Sequence, residues 1–152
     1  MGGRLAGIAR RDRPKGPMHT VDHGQVSLAE GLHGDFRSAL ASGKGTRKRQ
    51  LSLIEGNSWR AAQADSGCLA DWSEARRNLL VEGLRLPREP GAQIAIGSAL
   101  VLEVTGECDP CERMDALHEG LRAALTPDWR GGVLARVISE GPIALDDEVR
   151  IV

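Results

Sequence analysis

Short runs in which apolar and polar residues alternate dominate this sequence, and glycine separates many of them. Within residues 98–105, Leu100, Leu102 and Val104 fall at every second position, which is the side-chain period of a β-strand. The 19 glycines suit the tight turns that join such strands. Strict alternation of strands with helices is absent, which disfavours a doubly wound parallel sheet. We therefore predict a mainly β fold, a curved or closed, barrel-like sheet with a few added helices.

The same period predicts the other strands. They are expected at residues 5–9, 25–28, 49–54, 78–81, 133–137 and 149–151. Between the second and third of these strands, residues 31–45 are rich in glycine and are predicted to be irregular.

Helices are predicted at three places. The first begins with Asn57 or Ser58 as its N-cap and runs through residue 64, and a short capped turn follows at residues 71–74. The longest is predicted over residues 110–124. Its apolar residues recur at helical spacing, at Met114, Leu117, Leu121 and Leu125.

Composition excludes several classes of protein. The 152 residues carry a formal net charge of −1, so no overall positive field favours nucleic acid or an anionic membrane. No apolar run approaches the ~20 residues that a membrane helix needs, and the first 18 residues lack a secretory pattern. We expect one domain spanning residues 1–152, with no nucleic-acid or membrane partner, in the cytoplasm.

The most informative segment is residues 105–114, which leaves a strand and enters the longest predicted helix. Asp109 is the predicted N-cap, and Pro110 suits the first helical position. Cys111 would then lie in the first turn, where free N–H groups and the helix dipole favour a thiolate. Three acidic neighbours oppose this effect and Arg113 supports it. Cys111 is therefore the candidate reactive thiol.

The spacing of Cys108 and Cys111 leaves three interpretations open. It is half of a zinc site, although no second cysteine pair is present and the four histidines lack finger spacing. It is a thioredoxin-like dithiol, although the expected strand–helix–strand frame does not precede it. Otherwise the two are small buried residues at a strand–helix junction. We predict a packing role for Cys108 and Cys68, and a chemical role for Cys111.

Three places are candidates for binding an anion. The first is a basic cluster in and after a glycine loop, the second a basic pair entering a strand, and the third a helix start with free N–H groups. In chain order the cluster is Lys44, Arg47, Lys48 and Arg49, the helix start is Asn57–Ser58, and the pair is Arg76–Arg77.

Taken in order, these segments resemble the MOSC domain, named after the C-terminal part of molybdenum cofactor sulfurases. Residues 77–83, Arg-Asn-Leu-Leu-Val-Glu-Gly, resemble its R-x-N-[IL]-x-V-x-G stretch, and Pro110-Cys111-Glu-Arg113 resembles its P-C-x-R segment. Further matching segments are residues 34–35, 49–53, 90–91, 96–99, 132–137 and 141–143. Two departures are Asp146-Asp147 in place of a closing Gly-Asp, and the lack of a recognisable histidine-rich loop.

The resemblance implies a barrel-like domain that holds the molybdenum cofactor, a molybdenum ion bound to a pterin. It implies that Cys111 ligates the metal or carries sulfur. It also implies that Arg76, Asn78 and Ser58 hold the pterin or its phosphate. Further basic candidates for the same role are Arg113, Arg47 and Arg49.

Four functional hypotheses follow. The first is a molybdenum-dependent reductase of N-hydroxylated compounds, served by an electron-donor protein. The second is a sulfur carrier that passes a Cys111 persulfide to the cofactor and is loaded by a sulfur-donor protein. The third is a cofactor-binding module without turnover, and the fourth is a dithiol redox couple.

Overall fold

The computed structural model describes residues 2–43 and 47–152, and that part of the chain contains eleven strands and four α-helices. The strands are β1 (Gly3–Arg10), β2 (His19–Val21), β3 (His23–Ser27), β4 (Gly31–Leu32), β5 (Leu51–Glu55), β6 (Leu79–Glu82), β7 (Gln93–Ile96), β8 (Leu100–Glu107), β9 (Val133–Ser139), β10 (Gly141–Ala144) and β11 (Glu148–Ile151). The helices are α1 (Phe36–Gly43), α2 (Gly56–Ser66), α3 (Glu112–Leu117) and α4 (Leu121–Leu125). None of these helices is long and apolar enough to cross a membrane.

Seven strands close into a barrel, which confirms the predicted mainly β, barrel-like fold with added helices. Their order is β11-β7-β8-β9-β5-β6-β1, and antiparallel pairing of Gly3 with Val149 joins β1 back to β11. The pairing of β5 with β6 is parallel, and the other pairings in the ring are antiparallel. The far end of β1 pairs with β2. Closure removes the unpaired edges that an open sheet would expose.

Aliphatic side chains fill the barrel, as the alternation predicted. On β8, Leu100, Leu102 and Val104 are at most 1% exposed, while the residues between them are partly exposed. Fully burying one such side chain contributes roughly 1.5–3 kcal/mol. Leucine, valine, isoleucine and alanine therefore supply the barrel core, with little need for aromatic residues.

A second core lies between the helices and the outer face of the sheet. Trp59 of α2, Met114 of α3 and Leu121 of α4 meet there, and Trp72 joins them from a 3₁₀-helical turn at Trp72–Ala75. This packing holds the start of α3 beside the strands. A separate three-stranded sheet, in the order β10-β3-β4, completes the described structure.

The glycine-rich segment at residues 31–45 is more ordered than predicted. It contains β4 and α1, and the Asp35 carboxylate accepts a hydrogen bond from the Ser38 N–H at 2.9 Å. Asp35 thereby caps α1, a role that the glycine content obscured in the sequence. Residues 44–46, including Lys44 of the predicted basic cluster, lie outside the described residues.

The single helix predicted over residues 110–124 is wrong. The segment forms α3 and α4, separated at residues 118–120, where Gly120 has a φ of 89° that a helix does not tolerate. Cys111 is the N-cap of α3, with extended φ and ψ of −117° and 179°, so it does not lie within the first turn. The longest described helix is α2, and its N-cap is Glu55 rather than Asn57 or Ser58.

Candidate functional site

A pocket of about 150 Å³ opens where the start of α3 approaches β5 and the segment before β6. Six stretches of chain reach it: the end of β1, the segment before β2, the start of α1, the entry to β5, the entry to β6 and the start of α3. Its lining residues are Arg11, Met18, Asp35, Arg37, Arg49, Leu51, Ser52, Arg76, Arg77, Asn78, Cys111, Arg113 and Met114.

The pocket is strongly cationic. Six arginines line it, against one carboxylate among the described residues, that of Asp35. Both oxygens of this carboxylate accept backbone hydrogen bonds, from Arg11 N–H at 3.1 Å and Ser38 N–H at 2.9 Å. No ion pair among the described residues joins Asp35 to an arginine. A concave site with this excess of one charge attracts anions.

The arginines repel one another within this site. Burial and the Arg113 guanidinium lower the pKa of Arg11, and burial and Arg49 lower the pKa of Arg37. Burial lowers the pKa of Arg76, and Arg11 and Arg113 lower it further. Guanidinium groups stay protonated at neutral pH, so this repulsion is present at neutral pH. A bound anion would relieve it.

One guanidinium atom of this pocket has no hydrogen-bond partner among the described residues. The Nη1 atom of Arg11 is buried and makes no hydrogen bond within residues 2–43 and 47–152, which is unusual because a buried polar group without a partner costs about 1–3 kcal/mol. Arg11 follows β1 directly and lines the pocket. Its free donor therefore marks where a hydrogen-bond acceptor from a ligand can bind.

Arg77 has a different role, because its guanidinium holds the walls together. The residue is 4% exposed and donates from Nη1 to the Ala75 carbonyl at 2.7 Å and from Nε to the Gly131 carbonyl at 2.8 Å. A third, longer bond joins Nη2 to the Cys108 carbonyl at 3.4 Å. Arg77 thus links the turn before β6 to the loop before β9 and to the segment that leads to Cys111.

Asn78 links three strands at the base of the pocket. Its Oδ1 accepts the Ser52 N–H of β5 at 3.1 Å, and its Nδ2 donates to the Ala9 carbonyl of β1 at 3.1 Å. The side chain is nearly buried, at 6% exposed. Asn78 therefore lines the site and also fixes the register of the strands that shape it.

The two neighbouring cysteines occupy different environments. Cys111 is exposed and lines the pocket together with the Arg76 side chain. Cys108 is fully buried, and its N–H donates to the Gly132 carbonyl at 2.8 Å. The described residues contain no cluster of three or more histidine, cysteine, aspartate or glutamate side chains that could hold a metal. Neither a zinc half-site nor a paired dithiol gains support from this geometry.

The structure brings together most of the residues that the sequence singled out. Cys111, Arg76, Asn78, Arg113 and Arg49 all line the pocket. The other two candidates, Ser58 and Arg47, do not line the pocket. Ser58 lies in a separate depression near Arg85, Arg88 and Arg130, and Arg47 donates to the Val137 carbonyl and to Gln50 Oε1.

Sequence reasoning missed three charged residues that line the pocket: Arg11, Arg37 and Asp35. A signal existed for Asp35, because residues 34–35 match a Gly-Asp of the resembling family. No local pattern distinguishes Arg11 and Arg37 from other surface arginines, since only the fold brings them to the site.

The fold and the pocket together define a small closed barrel with an exposed thiol in an arginine-lined site. Comparison with known proteins then places it: residues 33–150 match the MOSC domain. The chain belongs to the MOSC domain family, a family associated with binding of the molybdenum cofactor. A search of curated proteins finds no significant match.

Several solved structures share this fold. The YuaD protein from Bacillus subtilis superposes with a TM-score of 0.75 at 19% identity, over 98% of this chain and 94% of that one. YiiM from Geobacillus stearothermophilus gives 0.68 at 16% identity, over 99% and 73%. YiiM from Escherichia coli gives 0.65 at 17% identity, over 98% and 69%. At these identities the likeness is one of fold.

Proposed function

We propose that the arginine-lined pocket binds the molybdenum cofactor and that Cys111 supplies the protein ligand to the metal. The observation that carries this proposal is the meeting, in one pocket, of an exposed thiol and six arginines, one of which has a buried donor without a partner. We extend the family's cofactor to this chain because its own side chains fit that group.

The fit is one of charge and donor type. The cofactor carries a phosphate and a sulfur-ligated metal, which require cationic hydrogen-bond donors and a soft ligand. Arg37 and Arg49, mutual neighbours that enter from α1 and the start of β5, suit the phosphate. Arg76 and Arg113 flank Cys111 and suit the metal-bearing end. Arg11 contributes its free Nη1 between these two pairs.

The chain's residues would orient this group and hold its charge. When bound, the cofactor would supply a metal that exchanges electrons with a substrate. Met18, Leu51 and Met114 provide the apolar part of the wall against which a planar ring can pack. Asn78 and Arg77 hold the strands and loops in place around it. Arg47 and Ser58 stay predicted binding residues, although neither lines this pocket.

We propose a reductase of N-hydroxylated compounds as the activity. Converting an N–OH group to N–H releases water and consumes two electrons and two protons, so an electron-donor protein must serve the site. The exposed position of Cys111 leaves that side of the pocket open to a substrate and a donor. The arginines would exclude cationic substrates in favour of neutral or anionic ones.

A second candidate is a sulfur carrier. One observation favours it: Cys111 is exposed while Cys108 and Cys68 are buried, so a single accessible thiol stands in the site. Such a thiol can hold a persulfide without being resolved into a disulfide by its neighbour.

The three free cysteines also suit a reducing compartment, so we place this domain in the cytoplasm.

The cofactor proposal is tested by purification from a host that makes the cofactor. We expect molybdenum and a fluorescent pterin in equimolar amounts with the chain. Arg49→Gln should weaken retention about tenfold to a hundredfold, because one charge-assisted hydrogen bond is lost. Arg13→Gln, at an exposed arginine outside the pocket, is the control and should retain the cofactor. Repeated preparations with neither molybdenum nor pterin would refute the proposal.

A further inference from the structure

Independently of the cofactor, the pocket suits a small, doubly charged oxyanion. Its volume of about 150 Å³ is modest, and its one lining carboxylate is committed to backbone hydrogen bonds. Arg11 and Arg113 interact electrostatically, as do Arg76 and Arg113, so several guanidinium groups converge on one space. The exposed sulfur of Cys111 borders that same space. An anion held there would lie beside a nucleophile.

We propose that Cys111 takes sulfur directly from thiosulfate, so that the chain is a thiosulfate sulfurtransferase that loads its own persulfide. This inference rests on the sulfur-carrier form of the proposed function and changes its donor. The donor is a small sulfane-sulfur oxyanion, and no sulfur-donor protein is required.

The chemistry balances without any further reactant. The Cys111 thiolate attacks the terminal sulfur of thiosulfate and forms a new sulfur–sulfur bond. The bond between the two thiosulfate sulfurs breaks, and its electron pair leaves with the sulfonate group as sulfite. The products are a Cys111 persulfide anion and a sulfite dianion, and the total charge is unchanged.

Named residues of the pocket serve each part of this step. The unpartnered Nη1 of Arg11 binds an oxygen of the sulfonate end, which is the end that departs. Arg76 lines the same pocket as Cys111, and its positive charge offsets the repulsion between a thiolate and an incoming dianion. Cys108 is fully buried, so it cannot attack the persulfide and release it as a disulfide. The persulfide therefore persists until an acceptor enters.

The experiment uses the full chain from a host that cannot make the molybdenum cofactor, so its result does not depend on cofactor binding. The protein is incubated with thiosulfate, alkylated and mapped by mass spectrometry, while released sulfite is measured in parallel. We expect one extra sulfur atom on Cys111, sulfite in equal amount, and neither product from Cys111→Ser. Added cyanide should turn the persulfide over and give thiocyanate.

Two arginine variants separate binding from folding. Arg11→Gln should slow persulfide formation about tenfold, and Arg11→Lys should restore part of the rate. Arg13→Gln is the matched control, because Arg13 is 65% exposed and pairs only with Asp12 among the described residues. Sulfate should compete with thiosulfate while leaving alkylation of Cys111 by neutral iodoacetamide unchanged.

The outcomes are decisive in both directions. No persulfide, persulfide on Cys68 or Cys108 equal to that on Cys111, or equal rates for Arg11→Gln and Arg13→Gln would overturn the inference. A chain that co-purifies with molybdenum and pterin but ignores thiosulfate would leave the cofactor proposal standing. A chain that reacts with thiosulfate but never carries the cofactor would support this inference and refute the cofactor proposal.

Discussion

The Asp35 carboxylate accepts a hydrogen bond from the backbone N–H of Arg11 at 3.1 Å, and no ion pair joins the two side chains. Asp35 thus ties the end of β1 to the start of α1 through the Arg11 backbone, and it does not form an ion pair with the Arg11 guanidinium. The pocket keeps its positive charge, and its wall is held by the same contact.

Asp35→Ala should destabilise the fold. The change removes acceptors for two backbone N–H groups, those of Arg11 and Ser38. Loss of a helix N-cap of this kind costs about 1–2 kcal/mol. Chemical denaturation measures the difference, with the exposed Asp12→Ala as the control that should stay within about 0.5 kcal/mol of wild type. Equal stabilities for the two variants would contradict the capping role.

Cys111→Ser and Cys108→Ala should separate function from packing. Cys111 is exposed in the pocket, so its loss should abolish retention of molybdenum while leaving stability unchanged. Cys108 is buried, so its truncation should cost about 1 kcal/mol and leave retention intact. Metal analysis and thermal unfolding of both variants check this. Equal loss of metal in both variants would instead favour the dithiol or the zinc interpretation.

Arg77→Gln should be among the most damaging changes in the site. The carbonyls of Ala75, Gly131 and Cys108 would lose donors in a buried place. We expect a loss of about 3 kcal/mol in unfolding free energy, since buried groups left unsatisfied carry a large penalty. Denaturant titration provides the number, and Arg136→Gln, at a partly exposed surface pair with Glu103, is the comparison. A loss of unfolding free energy no greater than that of Arg136→Gln would show that Arg77 does not hold the pocket walls together.

Glu82 should make stability depend on acid pH. A hydrogen bond from Arg60 holds the pKa of Glu82 below its ordinary value of 4.5. A carboxyl whose pKa is lowered by folding contributes stability that is fully present above its unfolded pKa and is lost as pH falls through the folded one. The stability difference between wild type and Glu82→Gln should therefore be constant above about pH 5 and shrink below it. A difference that grows on acidification would reverse the assignment.

The strands were predictable because their signal is local. Leu100, Leu102 and Val104 carry the strand period within a few residues, and burial follows it. That the sheet closes was predictable only as part of the fold class, and the strands that pair to close it were not. The pairing of Gly3 with Val149 joins distant segments, and no short pattern encodes it. The break at Gly120 was missed because apolar residues at helical spacing continue on both sides of it.

The site was partly predictable for a related reason. Cys111 and Arg113 belong to one short motif, and Arg76 and Asn78 to another, so a family resemblance could find them. Arg11 and Arg37 reach the pocket through β1 and α1, whose positions depend on tertiary packing. The helix start predicts Ser58 as a binding residue, but the first turn of α2 borders a different depression, which Arg85, Arg88 and Arg130 also line.

The pairing of β1 with β11 also sets an order of events during synthesis. The β1 strand, which ends beside Arg11, gains one of its partners only when residues 148–149 have been made. Contacts between segments so far apart form late, because the long intervening chain must first be ordered. The emerging polypeptide therefore contains Cys111 before the barrel beside it can close. The proposed loading of this pocket, with a pterin or with sulfur, therefore has to follow the pairing of β1 with β11.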